Sequence, residues 1–101
     1  MNIQKLMKQA QQAQAQMAAV QEELANMVVE ASAGGGMVKV AMTCDRNLKE
    51  ISIDPAAVDP DDVELLEDMI FAAVTEASRN AEATAAARME EVTGGMNIPG
   101  L

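Results

Sequence analysis

The sequence contains no histidine, tryptophan or tyrosine, and phenylalanine and cysteine occur once each, as Phe71 and Cys44. Without histidine neither a Ser-His-Asp triad nor a His-based zinc centre can be assembled, and a single aromatic makes no platform for stacking unpaired bases. One cysteine forms no intrachain disulfide, which fits a reducing cytoplasmic compartment. Long apolar runs are also missing. No stretch approaches the roughly 20 residues that span a bilayer, and the first residues lack the charged-then-apolar layout of a signal peptide, so no membrane partner is expected. Nothing nominates a catalytic site, a cofactor, a metal centre or a small-molecule substrate.

Positive charge is scarce as well, with 7 basic residues against 16 acidic ones among 101, a net charge of −9. By that figure alone a nucleic-acid partner is disfavoured, because Lys and Arg on phosphates supply most non-specific affinity. The distribution changes the reading. Residues 1–50 are neutral, with Lys5, Lys8, Lys39, Arg46 and Lys49 balancing five acids, and the whole excess lies after Ile51. Seven acids crowd into 54–68, whereas the first 21 residues hold Lys5 and Lys8 and no acid. What is plentiful is alanine: half of the residues are hydrophobic, but 19 of them are Ala, while Leu, Ile, Val and Phe together number 21. A single domain of this size hides only roughly 60 to 65% of its unfolded surface. With so light a core, self-association is expected.

From Ile3 the apolar residues recur as Ile3, Leu6, Ala10, Ala13, Met17, Val20, Leu24 and Met27, in alternating steps of three and four. Good helix formers fill the gaps and no Gly or Pro interrupts, so the spacing predicts a helix of about 24 residues, roughly 36 Å long, with a narrow seam. After Met27 the period falls to two. Residues 28–32, 37–44 and 48–54 read as three short strands, with turns at Gly34-Gly35-Gly36 and Asp45-Arg46-Asn47. In the second strand Val38, Val40, Met42 and Cys44 share one face and Lys39 and Thr43 the other. Pro55 ends the third strand. Asp59-Pro60-Asp61-Asp62 predicts a helix start, with Asp59 as N-cap and Pro60 in the first turn. A face of Val63, Leu66, Ile70, Ala73 and Ala77, drifting through Ala81, Ala85, Met89 and Val92, carries that helix for about 33 residues to Gly94 and Gly95. The fold class is α+β: helix, three-stranded antiparallel meander, long helix. It forms one domain over 1–93 with a tail over 94–101.

Features that resemble sites have plainer explanations. The glycine run precedes a strand rather than a helix and lacks a following Lys-Ser/Thr pair, so it is a hairpin turn and not a phosphate loop. The acids at 59–68 lack the turn glycine and spaced glutamate of a calcium loop and complement a helix dipole instead. Cys44, alternating with Val38, Val40 and Met42, reads as a small buried hydrophobe.

Three stretches carry a family resemblance. They are Leu6-Met7-Lys8-Gln9-Ala10-Gln11-Gln12; Leu48-Lys49-Glu50-Ile51-Ser52-Ile53-Asp54-Pro55 with the following Leu66-Glu67-Asp68-Met69-Ile70; and Gly94-Gly95-Met96-Asn97-Ile98-Pro99-Gly100-Leu101. In order and spacing they resemble the YbaB/EbfC nucleoid-associated proteins. The resemblance implies a tweezer-like homodimer with a central sheet region built from both subunits and paired helices projecting as arms. It also implies binding of double-stranded DNA by those arms, with low sequence specificity, in the cytoplasm at the nucleoid, and possible effects on nucleoid organisation and gene expression. If the two helices run antiparallel, Lys5, Lys8 and Arg88 meet at one distal tip, remote from the acids at the start of the second helix. These three are the leading candidates for phosphate contact. Arg79, about 180° around the helix from Arg88, is a weaker one, and Lys39, Arg46 and Lys49 are secondary. Helices poor in Lys and Arg point to weak, salt-sensitive binding. A competing reading is a protein-interaction adaptor associated with the recombination and repair machinery, its arms clamping a partner helix and its tail docking on a partner.

Overall fold

A computed structural model describes residues 2–94; the predicted tail lies outside these residues apart from Gly94. The elements are α1 (Ile3–Asn26), β1 (Val28–Ala33), β2 (Val38–Thr43), β3 (Leu48–Ile53) and α2 (Val63–Gly94), with a short 3-10 turn over Pro55–Ala57. The predicted order and strand positions hold. Both helices have the anticipated lengths, 24 and 32 residues.

Asn2 caps α1, its side-chain oxygen accepting from the amides of Gln4 and Lys5 at 3.1 and 3.3 Å. At the other end the Cys44 amide donates to the carbonyls of Leu24 and Met27 at 3.1 and 2.9 Å, tying the last turn of α1 to the end of β2. The start of α2 differs from the prediction. The Asp59 carboxylate accepts from the Asp61 amide two residues on, closing a turn, and the helix begins only at Val63, where Asp62 accepts from the Leu65 amide at 3.3 Å. Asp59 is consumed locally, as short acidic side chains in turns often are, so Asp62 takes over the capping.

The strands form an antiparallel sheet in the order β1-β2-β3. Pairing of Ala41 with Glu50 but of Met42 with Leu48 leaves Lys49 as the extra residue of a bulge. The β2–β3 turn holds Arg46 at φ 68°, and its hydrogen bonds come from Thr43, Asp45 and Asn47. Thr43, predicted on the open face with Lys39, is buried; its hydroxyl donates to Asp45 and accepts from the Asn47 amide. A satisfied hydroxyl is tolerated inside.

Val38, Val40 and Met42 face α2 and pack against Ala73, Ala77 and Ala81, all three fully buried. The alanine stripe lets the helix lie close to the sheet. A second cluster, Val20, Leu24 and Cys44 with Met27, Ala85, Met89 and Val92, joins the inner half of α1 to the outer half of α2. The helices therefore run antiparallel, as expected.

One helix is about 10 Å across, whereas three strands at roughly 4.8 Å need more cover than that. The helix lies on β1 and β2. Asn80 donates to the Glu30 carbonyl on the β1 side, and Arg46, in the β2–β3 turn, pairs with Glu82 on the opposite side at 3.4 Å. Phe71 is eleven residues before Glu82, about three whole turns, so it projects on the side of β3. It is 74% exposed. Leu48, Ile51 and Ile53 on the same face of the sheet are exposed too. The result is an apolar trough between the flank of α2 and the bare face of β3.

Candidate nucleic-acid interface

The seven basic residues fall into three settings. Arg46 and Arg88 are engaged with carboxylates: Arg46 with Glu82, and Arg88 with Glu23 at 2.8 Å and Glu91 at 2.9 Å. The Glu23 hydrogen bond and charge, followed by those of Glu91, raise the Arg88 pKa above its already high ordinary value. Lys39 is exposed on the sheet face opposite α2, lining a hollow of about 420 Å³ with Glu30, Glu50, Ser32 and Ser52. Its acidic surroundings suit a polyanion poorly. Lys49 stands at the β3 bulge, and Arg79 is exposed on α2.

Lys5 and Lys8 are different. They are exposed in the first turns of α1, three residues apart and so on one face, with Gln12 one turn further along it. Among the described residues neither makes an ion pair. The nearest acid along the helix is Glu22, fourteen residues past Lys8 and about 21 Å away. A screening length of about 8 Å at physiological salt makes that separation sufficient. The N-terminus of α1 adds the positive end of the helix dipole.

The structure does not bring Arg88 to these lysines, contrary to the predicted tip cluster. Arg88 stands level with Glu23, and from there to Lys8 is fifteen residues of α1, about 22 Å. The two helices are antiparallel but not flush. Counting back from the Arg88–Glu23 pair puts Gly94 level with Met17, so the outer half of α1 extends beyond the described end of α2. Ile3 and Leu6 on its seam are accordingly 69% and 48% exposed, while Val20 and Leu24 are buried. Among the described residues no helix is long and apolar enough to cross a membrane, and no group of three or more acidic or cysteine side chains is arranged to hold a metal ion.

This geometry, a projecting helix with an isolated pair of lysines on a small α+β body, can be set beside known proteins. A model of the YbaB/EbfC DNA-binding family matches residues 1–96. The chain belongs to that family. It is 53% identical over 100 residues to a nucleoid-associated protein of Thermoanaerobacter sp. (strain X514), covering 99% of this chain and 90% of the relative. With a nucleoid-associated protein of Acetivibrio thermocellus the identity is 54% over 101 residues, covering 99% and 89%. The crystal structure of an uncharacterized protein from Helicobacter pylori superposes with a TM-score of 0.77, covering 95% of this chain and 97% of the other at 18% identity, which establishes the shared fold. Membership of the YbaB/EbfC family makes this a DNA-binding protein rather than an enzyme.

Within this family member, the residues that sequence reasoning passed over are hydrophobic. Ile51 and Ile53 fell within the predicted third strand, and Phe71 stood out as the lone aromatic, yet nothing linked them. The signal was a count of widths: three strands and one long helix to cover them.

Proposed function

We propose that the protein is a nucleoid-associated homodimer of the bacterial cytoplasm that binds duplex DNA through its phosphates, with little sequence specificity, using the outer half of α1 in each subunit. Lys5 and Lys8 make the leading contacts and exposed Gln12 extends the same face. Arg79 contributes weakly. Arg88 contributes less than a free arginine, because two carboxylates already occupy its guanidinium. The observation that carries this reading is the isolation of Lys5 and Lys8 from every acid on their helix by more than a screening length.

The trough supports the dimeric reading. Phe71 on the flank of α2 and Leu48, Ile51 and Ile53 on β3 are exposed on the two sides of it, and a two-fold partner offers the same apolar side chains in return. Such an isologous arrangement seats Phe71 of each copy over β3 of the other. It also sets two α1 arms on one body, so that two modest contacts reinforce each other.

Gel-shift titrations over a salt series test the reading. Two arms with two lysines each neutralise four phosphates, so log K is expected to fall against log salt with a slope of about −3.6. Lys5→Glu/Lys8→Glu should abolish most of the binding; equal affinity of that variant and the wild type overturns the proposal. An adaptor for recombination and repair proteins predicts instead a pull-down that survives nuclease and does not depend on Lys5 and Lys8.

A further inference from the structure

All seven glutamines of the chain lie between Gln4 and Gln21, on α1, and all are exposed. From Gln9 to Gln21 no residue is charged. Solvated helix faces ordinarily carry charged side chains, and α2 does so, with acids and no glutamine. The outer half of α1 therefore presents amides where solubility alone would be served by carboxylates. Four residues form one line on it: Lys5, Lys8, Gln12 and Gln16, spaced by three, four and four. Exposed Ala15 and Ala19 lie beside Gln12 and Gln16 on that face and add little bulk.

We propose that Gln12 and Gln16 read adenine in the major groove of the duplex whose phosphates Lys5 and Lys8 hold; this rests on the phosphate-contact reading above and adds base-contacting residues to it. The first support is chemical match. A glutamine amide carries a donor and an acceptor in one plane, and adenine presents its N6 donor beside its N7 acceptor on the major-groove edge. Guanine shows two acceptors there, and a phosphate offers acceptors only, so either leaves the amide oxygen without a donor. The second is size. A helix with its side chains is about 10–12 Å across and the major groove about 12 Å wide, and residues 3–16 project past the described end of α2. The third is charge, since α1 bears no acid before Glu22 for the phosphates to repel. From Lys5 to Gln16 is about 16 Å, or about five base-pair steps. The lysines thus rest on the backbone at one wall while the glutamines lie over the floor of the groove.

Gel shifts on two duplexes of identical length test this. One has alternating A·T pairs; the other replaces adenine by 7-deazaadenine, which lacks the N7 acceptor but keeps the charge and the minor groove. Wild type should bind the first at least about fivefold more tightly, with the same salt slope on both. Gln12→Ala/Gln16→Ala, which favours the helix, should keep that slope, because both lysines remain, and bind the two duplexes alike. Gln4→Ala/Gln11→Ala, about 90° around the helix, should keep the preference. Wild type that shows the lysine-dependent salt slope but binds both duplexes equally overturns the proposal and leaves the phosphate contacts standing. A preference that survives in Gln12→Ala/Gln16→Ala overturns it as well. Binding indifferent to Lys5→Glu/Lys8→Glu overturns the phosphate-contact reading and this proposal with it.

Discussion

Gly34 opens the β1–β2 turn at φ 63°, and a β-carbon added there would overlap Met69 Sδ on α2. Gly35, at φ 67°, has open space around it. Both positions are left-handed, which costs an ordinary residue about 1 kcal/mol or more. Gly34→Ala must in addition displace Met69 from the core that it joins. We expect Gly35→Ala to cost about 1 kcal/mol and Gly34→Ala about 2, separating their melting temperatures by roughly 4 to 8 °C in a domain of this size. Equal melting temperatures would show that Met69 yields freely. Cys44 makes a second case for local environment. Burial, and then the charge of Asp45, raise its thiol pKa above the ordinary value. The native thiol therefore stays protonated where the unfolded one ionises, so the unfolded state binds fewer protons and stability declines as pH rises through the ordinary thiol range. Below that range the contribution is complete. Alkylation at pH 8 should be slow in the native protein and fast in urea, and urea midpoints should fall between pH 8 and 10 for the wild type but not for Cys44→Ala, once other titrations common to both are subtracted.

At the level of single elements the sequence was most readable where one rule acted alone. The inner half of the α1 seam, at Val20 and Leu24, and the alternation of β2 predicted their buried faces, because period and burial coincide there. The start of α2 was misjudged by three residues because four consecutive turn-favouring residues compete to cap it, and the choice of Asp62 over Asp59 depends on which amide each carboxylate captures. The candidate interface was legible in part. Lys5 and Lys8 stood out because no acid accompanied them, but the position of Arg88 depends on how far the helices overlap. That offset is set by packing of Val20 and Leu24 against Ala85, Met89 and Val92, which no spacing within either helix reveals. The offset has a measurable consequence. Arg88→Gln frees Glu23 and Glu91 but removes a side chain already engaged, so its salt slope should stay within about 0.5 of the wild type. Lys5→Gln/Lys8→Gln should flatten the slope by about 3.6 across the two arms. A large change with Arg88→Gln would mean that DNA displaces both carboxylates.

For the molecule as a whole, a net charge of −9 and a DNA-binding family are reconciled by distance, since the structure is 71 Å long and screening acts over about 8 Å. The acids of 59–68 lie by the start of α2, and the lysines lie at the far end of α1. Distance also weakens each arm, because two lysines hold duplex DNA poorly on their own. In the proposed dimer, function depends on the trough that joins two arms, and this ties an apolar surface to an electrostatic activity. Phe71→Asp places a charge in that trough without touching the lysines or the core alanines of α2. Ile51→Asp does the same from β3. Each variant should keep its helical circular dichroism, sediment as a monomer, and bind DNA at least tenfold more weakly than the wild type because the second contact no longer comes at high effective concentration. Its salt slope should fall to about half, since one arm neutralises two phosphates rather than four. The slope separates the possibilities: a monomer with the full slope would place four phosphate contacts on a single chain, and a dimer that persists in both variants would remove the trough as the interface.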